Sequence, residues 1–262
     1  MSAATDRVSS NMQREDDVEI FSDFFEASGT WEFLSRLGHI FSGITWIGLL
    51  YFFNVVQTPA YAQLSDGARM EAIQKVTERA LWWFRYAALL TFLFGVSIVA
   101  VKDQETYFEG PGGTSIMTGM LFGIAMFANV WMIIWPNQKV VIANAAAVSS
   151  GGTADPAAAG AAKRAARASR ANTFFSIPML WFMVFTSHLS FIFGASVSNS
   201  AIYWVIVLGL FLFVELSALG HIGGLDSPFN KAVFDNHRTT IGYGFVLLAI
   251  IYFVGWELIL GS

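Results

Sequence analysis

Two histidines sit where water should be scarce. His39 opens the apolar run GHIFSGITWIGLLYFFNVVQTP (38–59), and His188 lies in FMVFTSHLSFIFG (182–194). An imidazole in hydrocarbon loses its water and needs a partner, so an ionisable residue there is a functional candidate. Haem iron accepts imidazole nitrogen readily, and the metal itself supplies that partner. Gly43, one turn along from His39, removes a side chain where a porphyrin would press, and Trp46 follows one turn later. The pattern predicts a b-type haem with His39 and His188 as axial ligands of the iron and Gly43 and Trp46 beside it. The structural alternative is that each ring bonds a helix neighbour or the other ring, with the small residues serving close helix packing. His221 in ELSALGHIGGLDSP and His237 in FDNHRTT make a weaker pair, suited to a second haem or to substrate.

A second set is polar. Asn54, Arg85, Asn129 and Glu215 each interrupt an apolar segment. An arginine or acid at a membrane-helix centre costs about 2.5–3.5 kcal/mol, less toward the interface. Pairing Arg85 with Glu215 would offset both costs, and the four residues together could form a substrate pocket with Arg85 as its cation. The alternative for Arg85 is that its long side chain reaches the interface.

The elements that carry these residues follow from composition. The chain has 262 residues, 55% hydrophobic and 13% charged, with 25 Phe and 9 Trp. Soluble domains carry about 25% charged residues, so the fold class is all-α: a polytopic membrane helix bundle. A bilayer needs about 20 mainly apolar residues per helix. Six segments qualify as transmembrane helices, roughly 34–56, 81–101, 115–135, 174–195, 201–220 and 240–260. Pro136 is expected to stop the third. Residues 1–32 read as an acidic tail with an interfacial amphipathic segment. Residues 33–260 read as the bundle, interrupted at 143–172 by a Gly/Ala/Ser-rich flexible cytoplasmic linker that ends in a basic cluster.

Loops 57–80, 136–173 and 221–239 hold most of the lysines and arginines. The positive-inside rule therefore places them in the cytoplasm and both termini in the periplasm of a bacterial inner membrane. No cleavable leader is expected at the N-terminus. With no cysteine, the chain offers no disulfide, thiolate metal site or c-type haem attachment. A net charge of −4 argues against nucleic acid as a partner.

The blocks HIFSGITWIGLLYFFNVVQTP, WWFRYAALLT, NVWMIIWPNQK and ASRANTFFSIPMLWFMVFTSH, in this order, resemble the N-terminal membrane domain of the bacterial membrane-bound urate oxidase (urate hydroxylase) family. The resemblance covers about residues 33–260. It implies an inner-membrane enzyme of purine catabolism that oxidises urate to 5-hydroxyisourate and delivers electrons to cytochrome c rather than directly to oxygen. In family members known for this activity a cytochrome c domain follows the membrane domain, whereas this chain stops at Ser262, so the resemblance implies either a separate cytochrome c as partner or a sister protein with a different substrate. It implies no particular catalytic residues. The other function classes open at this point are a non-catalytic haem-containing electron-transfer subunit and a small-molecule transporter. The absence of internal repeats weighs against transport.

Overall fold

The computed structural model describes residues 29–190 and 199–260, which are helical with no strand among them. The helices are α1 (Thr30–Tyr61), α2 (Asp66–Ala100), α3 (Gly110–Ser149), α4 (Ala158–His188), α5 (Ser200–Ala218), the short α6 (Pro228–Phe234) and α7 (His237–Leu260), with a single helical turn, Gln104–Tyr107, between α2 and α3. Of these, α1, α2, α3, α5 and α7 are long and apolar enough to cross a membrane. The expected fourth span falls on α4, whose first half is Ala- and Arg-rich. The last residues of that expected span, 191–195, lie outside the described residues. The proposed amphipathic segment before residue 29 also lies outside them.

The chain is a membrane protein by its surface as well as by its helix lengths. Phe41, Ile44, Val205 and Leu258 are 74%, 69%, 72% and 68% exposed. Bulky apolar side chains pointing outward on several helices face lipid comfortably and water poorly. The interior is aromatic, with Phe122, Phe175, Phe182, Phe185, Tyr203 and Trp256 fully buried around α4.

Small and hydroxylated residues let neighbouring helices approach, as expected where lipid removes the hydrophobic drive between helices. In the antiparallel α1–α2 seam, Ser35 Oγ meets Ser97 Oγ at 2.7 Å. Gly38 lies under Phe94, whose ring would stand 2.6 Å from a Cβ there. In the α3–α4 seam, Thr186 Oγ1 donates to Ser115 Oγ at 2.8 Å and Ser115 Oγ donates to the Phe182 carbonyl at 3.2 Å. Tyr203 OH of α5 joins Thr118 of α3 at 2.8 Å.

Two expectations are corrected. Pro136 does not end its helix: α3 runs on to Ser149. The turn before it, Asn129–Ile134, is π-helical, and this wider turn makes room for a ring that clashes with the carbonyl four residues back. The same pairing occurs in α1, where the π-helical Phe52–Gln57 precedes Pro59. Nor is 143–172 a flexible linker. Residues up to Ser149 belong to α3 and those from Ala158 to α4, so only 150–157 connect them. The alanines are there to be packed: Ala161, Ala165, Ala168 and Ala171 are at most 1% exposed and line one face of α4.

Ten of the chain's lysines and arginines, Arg69 through Arg238 in the three loops above, lie at one end of the bundle with the α3–α4 and α5–α6 connections. At the other end Glu32 takes both Arg36 (2.8 Å) and Lys102 (2.6 Å). Because the chain lacks cysteine, single cysteines can report sidedness. In whole cells a membrane-impermeant maleimide is expected to label Glu105→Cys but to reach Ser150→Cys only after lysis. The opposite pattern would invert the orientation.

Candidate functional site

His39 and His188 both lie at the cation-poor end, but they do not meet. His39 faces α2, where its Nδ1 is 2.8 Å from the Thr91 carbonyl. Gly95 lies directly beneath the ring, so that a Cβ there would be 3.2 Å from its Cε1. Gly43 faces the same helix, the Thr91 methyl standing 3.8 Å from its side-chain position. Trp46 is buried, with its Nε1 unpartnered. His188 is exposed and folds back on its own helix, Nδ1 lying 3.0 Å from the Val184 carbonyl. A haem ligated by both would need a slot between two facing imidazoles, and these residues do not form one. The pair therefore does not fit a shared haem. We expect His188→Ala to leave the absorption spectrum of the purified protein unchanged, both oxidised and dithionite-reduced. Loss of a low-spin haem band in that variant would contradict the arrangement.

His221 is exposed in the turn after α5, and its backbone N–H closes that turn on Leu216. His237 begins α7 beside Arg170 and Arg238. No described contact brings His221 and His237 together, and two neighbouring guanidiniums make His237 a poor place for another cation.

The polar set resolves into separate groups rather than one pocket. Asn54, in the π-helical turn of α1, donates to the Leu50 carbonyl (2.9 Å) and to Ser169 Oγ (2.8 Å), and its Oδ1 accepts from Arg170 Nε at 2.9 Å. Arg170 also reaches the Phe234 carbonyl at 3.4 Å. Asn129 opens the π-helical turn of α3 and donates to Asn172 Oδ1 at 2.9 Å. Asn172 in turn donates to the Met126 carbonyl at 2.9 Å. Such complete bonding is what burial demands of a carboxamide.

Glu215 does not pair with Arg85. Its carboxyl lies beside Asn129, and its buried Oε2 has no partner. Arg85 instead turns to the aromatic rings of α3 and its own helix: its guanidinium carbon stands 3.8 Å from the Trp135 ring centroid, 4.8 Å from Tyr86 and 5.4 Å from Trp131. Since no cation balances Glu215 among the described residues, Glu215→Gln should keep the shape and remove a buried charge. We expect it to unfold no earlier than wild type in a detergent thermal scan. A clear loss of stability would reveal a cation partner for Glu215.

The residues that composition concealed are Arg167, Arg170, Asn172 and Asn230. Arg167 donates to the Leu225 carbonyl (3.2 Å), the Asn230 carbonyl (3.1 Å) and Asp235 Oδ1 (2.6 Å), tying α4 to the α5–α6 turn and to α6. Asn230 is fully buried and donates to the carbonyls of Ser217 (2.6 Å) and Gly224 (3.0 Å).

No curated protein and no solved structure matches the chain. A family model described as urate oxidase N-terminal matches residues 102–217, a narrower stretch than the 33–260 over which the motifs resemble that family. The matched residues comprise α3, α4 and nearly all of α5, with Asn129, Trp135, Arg170, Asn172 and Glu215 among them. Over this central part, the chain is similar to the urate oxidase N-terminal family.

Proposed function

We propose that the protein is a membrane oxidoreductase of the urate-oxidase type, which oxidises urate or a similar small heterocycle and passes the electrons to a separate cytochrome c. In balanced form, urate and water give 5-hydroxyisourate, two protons and two electrons, and the electrons reduce two ferricytochrome c. The observation that carries this reading is the family match over 102–217. The separation of cationic loops from the Glu32 end supports an orientation in a bacterial inner membrane with both termini periplasmic. Of the four pocket candidates, Asn54 and Asn129 are occupied by Arg170, Ser169 and Asn172, and Glu215, half-buried, sets its carboxyl beside Asn129. Arg85 lines an open cavity.

The test uses membranes carrying the overproduced full chain. Adding urate should reduce added ferricytochrome c at two per urate consumed, above the rate of membranes without the protein. Urate consumption without cytochrome reduction, or no consumption, would overturn the reading.

A further inference from the structure

A cavity of about 440 Å³ opens at the cation-rich end, between the first turns of α2 and Trp135 of α3. This is within the size range of small-molecule sites. Arg85 forms its inner wall. The residue is only 9% exposed, its Nε is buried without a hydrogen-bond partner, and no carboxylate pairs with it among the described residues. Its flat face is occupied by Trp135, but stacking leaves the in-plane N–H edge of a guanidinium available. That edge is the fork that recognises planar oxyanions.

The other walls are complementary. Arg79 adds a second cation on the same side of α2, and Lys75, also at the cavity, is already paired with Glu71. Trp82, 48% exposed, offers a ring face. Gln74 is fixed by three bonds from its Nε2, to the carbonyls of Met70 (3.1 Å) and Ala145 (3.3 Å) and to Ser149 Oγ (2.9 Å). Its Oε1 is thereby left as an acceptor, and the Glu78 carboxylate is a further one. A ligand satisfying all of these is flat, carries one negative charge on oxygen for the arginines, and has ring N–H groups for Glu78 and Gln74. A phosphate headgroup meets the arginines but has no N–H for Glu78, whose charge repels it.

We propose that this cavity binds a planar monoanionic heterocycle with ring N–H donors, the substrate class of the oxidase. The assignment rests on that reading of the function. Arg85 holds the anionic oxygen, Trp82 stacks on the ring, Glu78 and Gln74 accept its N–H groups, and Trp135 keeps the Arg85 fork in place.

The experiment is a titration of urate monoanion into the purified full chain in zwitterionic nanodiscs, followed by tryptophan fluorescence quenching. Saturable quenching is expected, and Arg85→Gln should weaken it at least tenfold. Trp82→Leu, at a half-exposed position, should weaken it similarly and serves if Arg85→Gln does not fold. No saturable quenching, or quenching indifferent to both variants, overturns the proposal. So does displacement of urate on moving to anionic phosphatidylglycerol nanodiscs at constant ionic strength, which would identify a lipid headgroup site. The two readings fail separately. Arg85-dependent binding without cytochrome c reduction supports this site and removes the oxidase. Urate-driven reduction with full activity in Arg85→Gln and Trp82→Leu supports the oxidase and removes this site.

Discussion

Arg167→Leu is expected to cost about 3–5 kcal/mol, the range for removing one partner of a buried charged contact. The arginine is 6% exposed and gives three charge-assisted bonds, each of a kind worth roughly 1.5–3 kcal/mol though not additive. The loss exceeds the bonds themselves, because the carbonyls of Leu225 and Asn230 are left with no donor to replace it. Asp235 is half-exposed, so its oxygen can return to water and moderates the cost. Arg167→Lys keeps a charge but cannot reach three acceptors from one ammonium and should recover only part of the stability. Thermal unfolding in detergent reads the size, and faster proteolysis within 219–227 reads the place. Unfolding of Arg167→Leu at the wild-type temperature would mean that Asn230, with its two carbonyl bonds, holds this corner unaided. The nearby Lys163–Asp226 pair is exposed and adds little. Lys163 holds the Asp226 carboxyl below its usual range, so this small contribution is present at neutral pH and fades only as the medium becomes acidic enough to protonate Asp226 in the fold.

The second large effect is expected from Gly244→Val at the α4–α7 crossing. A Cβ at Gly244 would stand 2.6 Å from Ile177 Cδ1 and 2.9 Å from the Phe174 carbonyl oxygen. The isoleucine methyl can turn away. The carbonyl belongs to a central helix and cannot, so α7 must lift from α4. Overpacking of this kind costs roughly 1–3 kcal/mol, and valine, with two further methyls, should sit at the upper end. Gly242→Ala, two residues away, supplies the control. Nothing lies within 4 Å of its side-chain position, and replacing a helical glycine by alanine gains up to about 1 kcal/mol. A stabilised Gly242→Ala beside a destabilised Gly244→Val would locate the contact. Equal behaviour would place the crossing elsewhere.

How far the sequence could be read depends on which physical quantity each inference needed. Span locations need only a sum of apolar residues, and α1, α2, α3, α5 and α7 follow from it. A site needs the direction of side chains, which a single apolar helix does not declare: His39, Ser35 and Ser42 share a stripe, but only a partner helix fixes that it faces Thr91 and Gly95 rather than α4. Arg85 and Glu215 shared a depth, and depth says nothing about what stands around them. Trp135, six residues from the Asn129 that borders Glu215, captured the arginine instead. The stretch 158–172 was misjudged by composition, although its periodicity was visible: Ala161, Ala165, Ala168 and Ala171 recur at intervals of four, three and three. That is a helical stripe. It places Arg167 and Arg170 beside the buried face, where a run of basic residues would otherwise suggest a solvated patch.

The wide turns ahead of Pro59 and Pro136 have a consequence for how this chain tolerates changes in length. Each holds roughly one residue more than an α-helical path would need. Deleting Val55 or Val130 would let the turn close into ordinary helix while the segments on either side keep their facing. The same deletion in plain α-helix would rotate everything beyond it by about 100°, the angle of one residue in a 3.6-residue turn. Beyond the wide turn in α1, Tyr61 would keep Thr77, which it meets at 3.0 Å. Beyond the one in α3, Trp135 would stay against the guanidinium of Arg85. At these two places a missing codon is absorbed as a small shortening, whereas elsewhere in the same helices it acts as a twist that hydropathy cannot register.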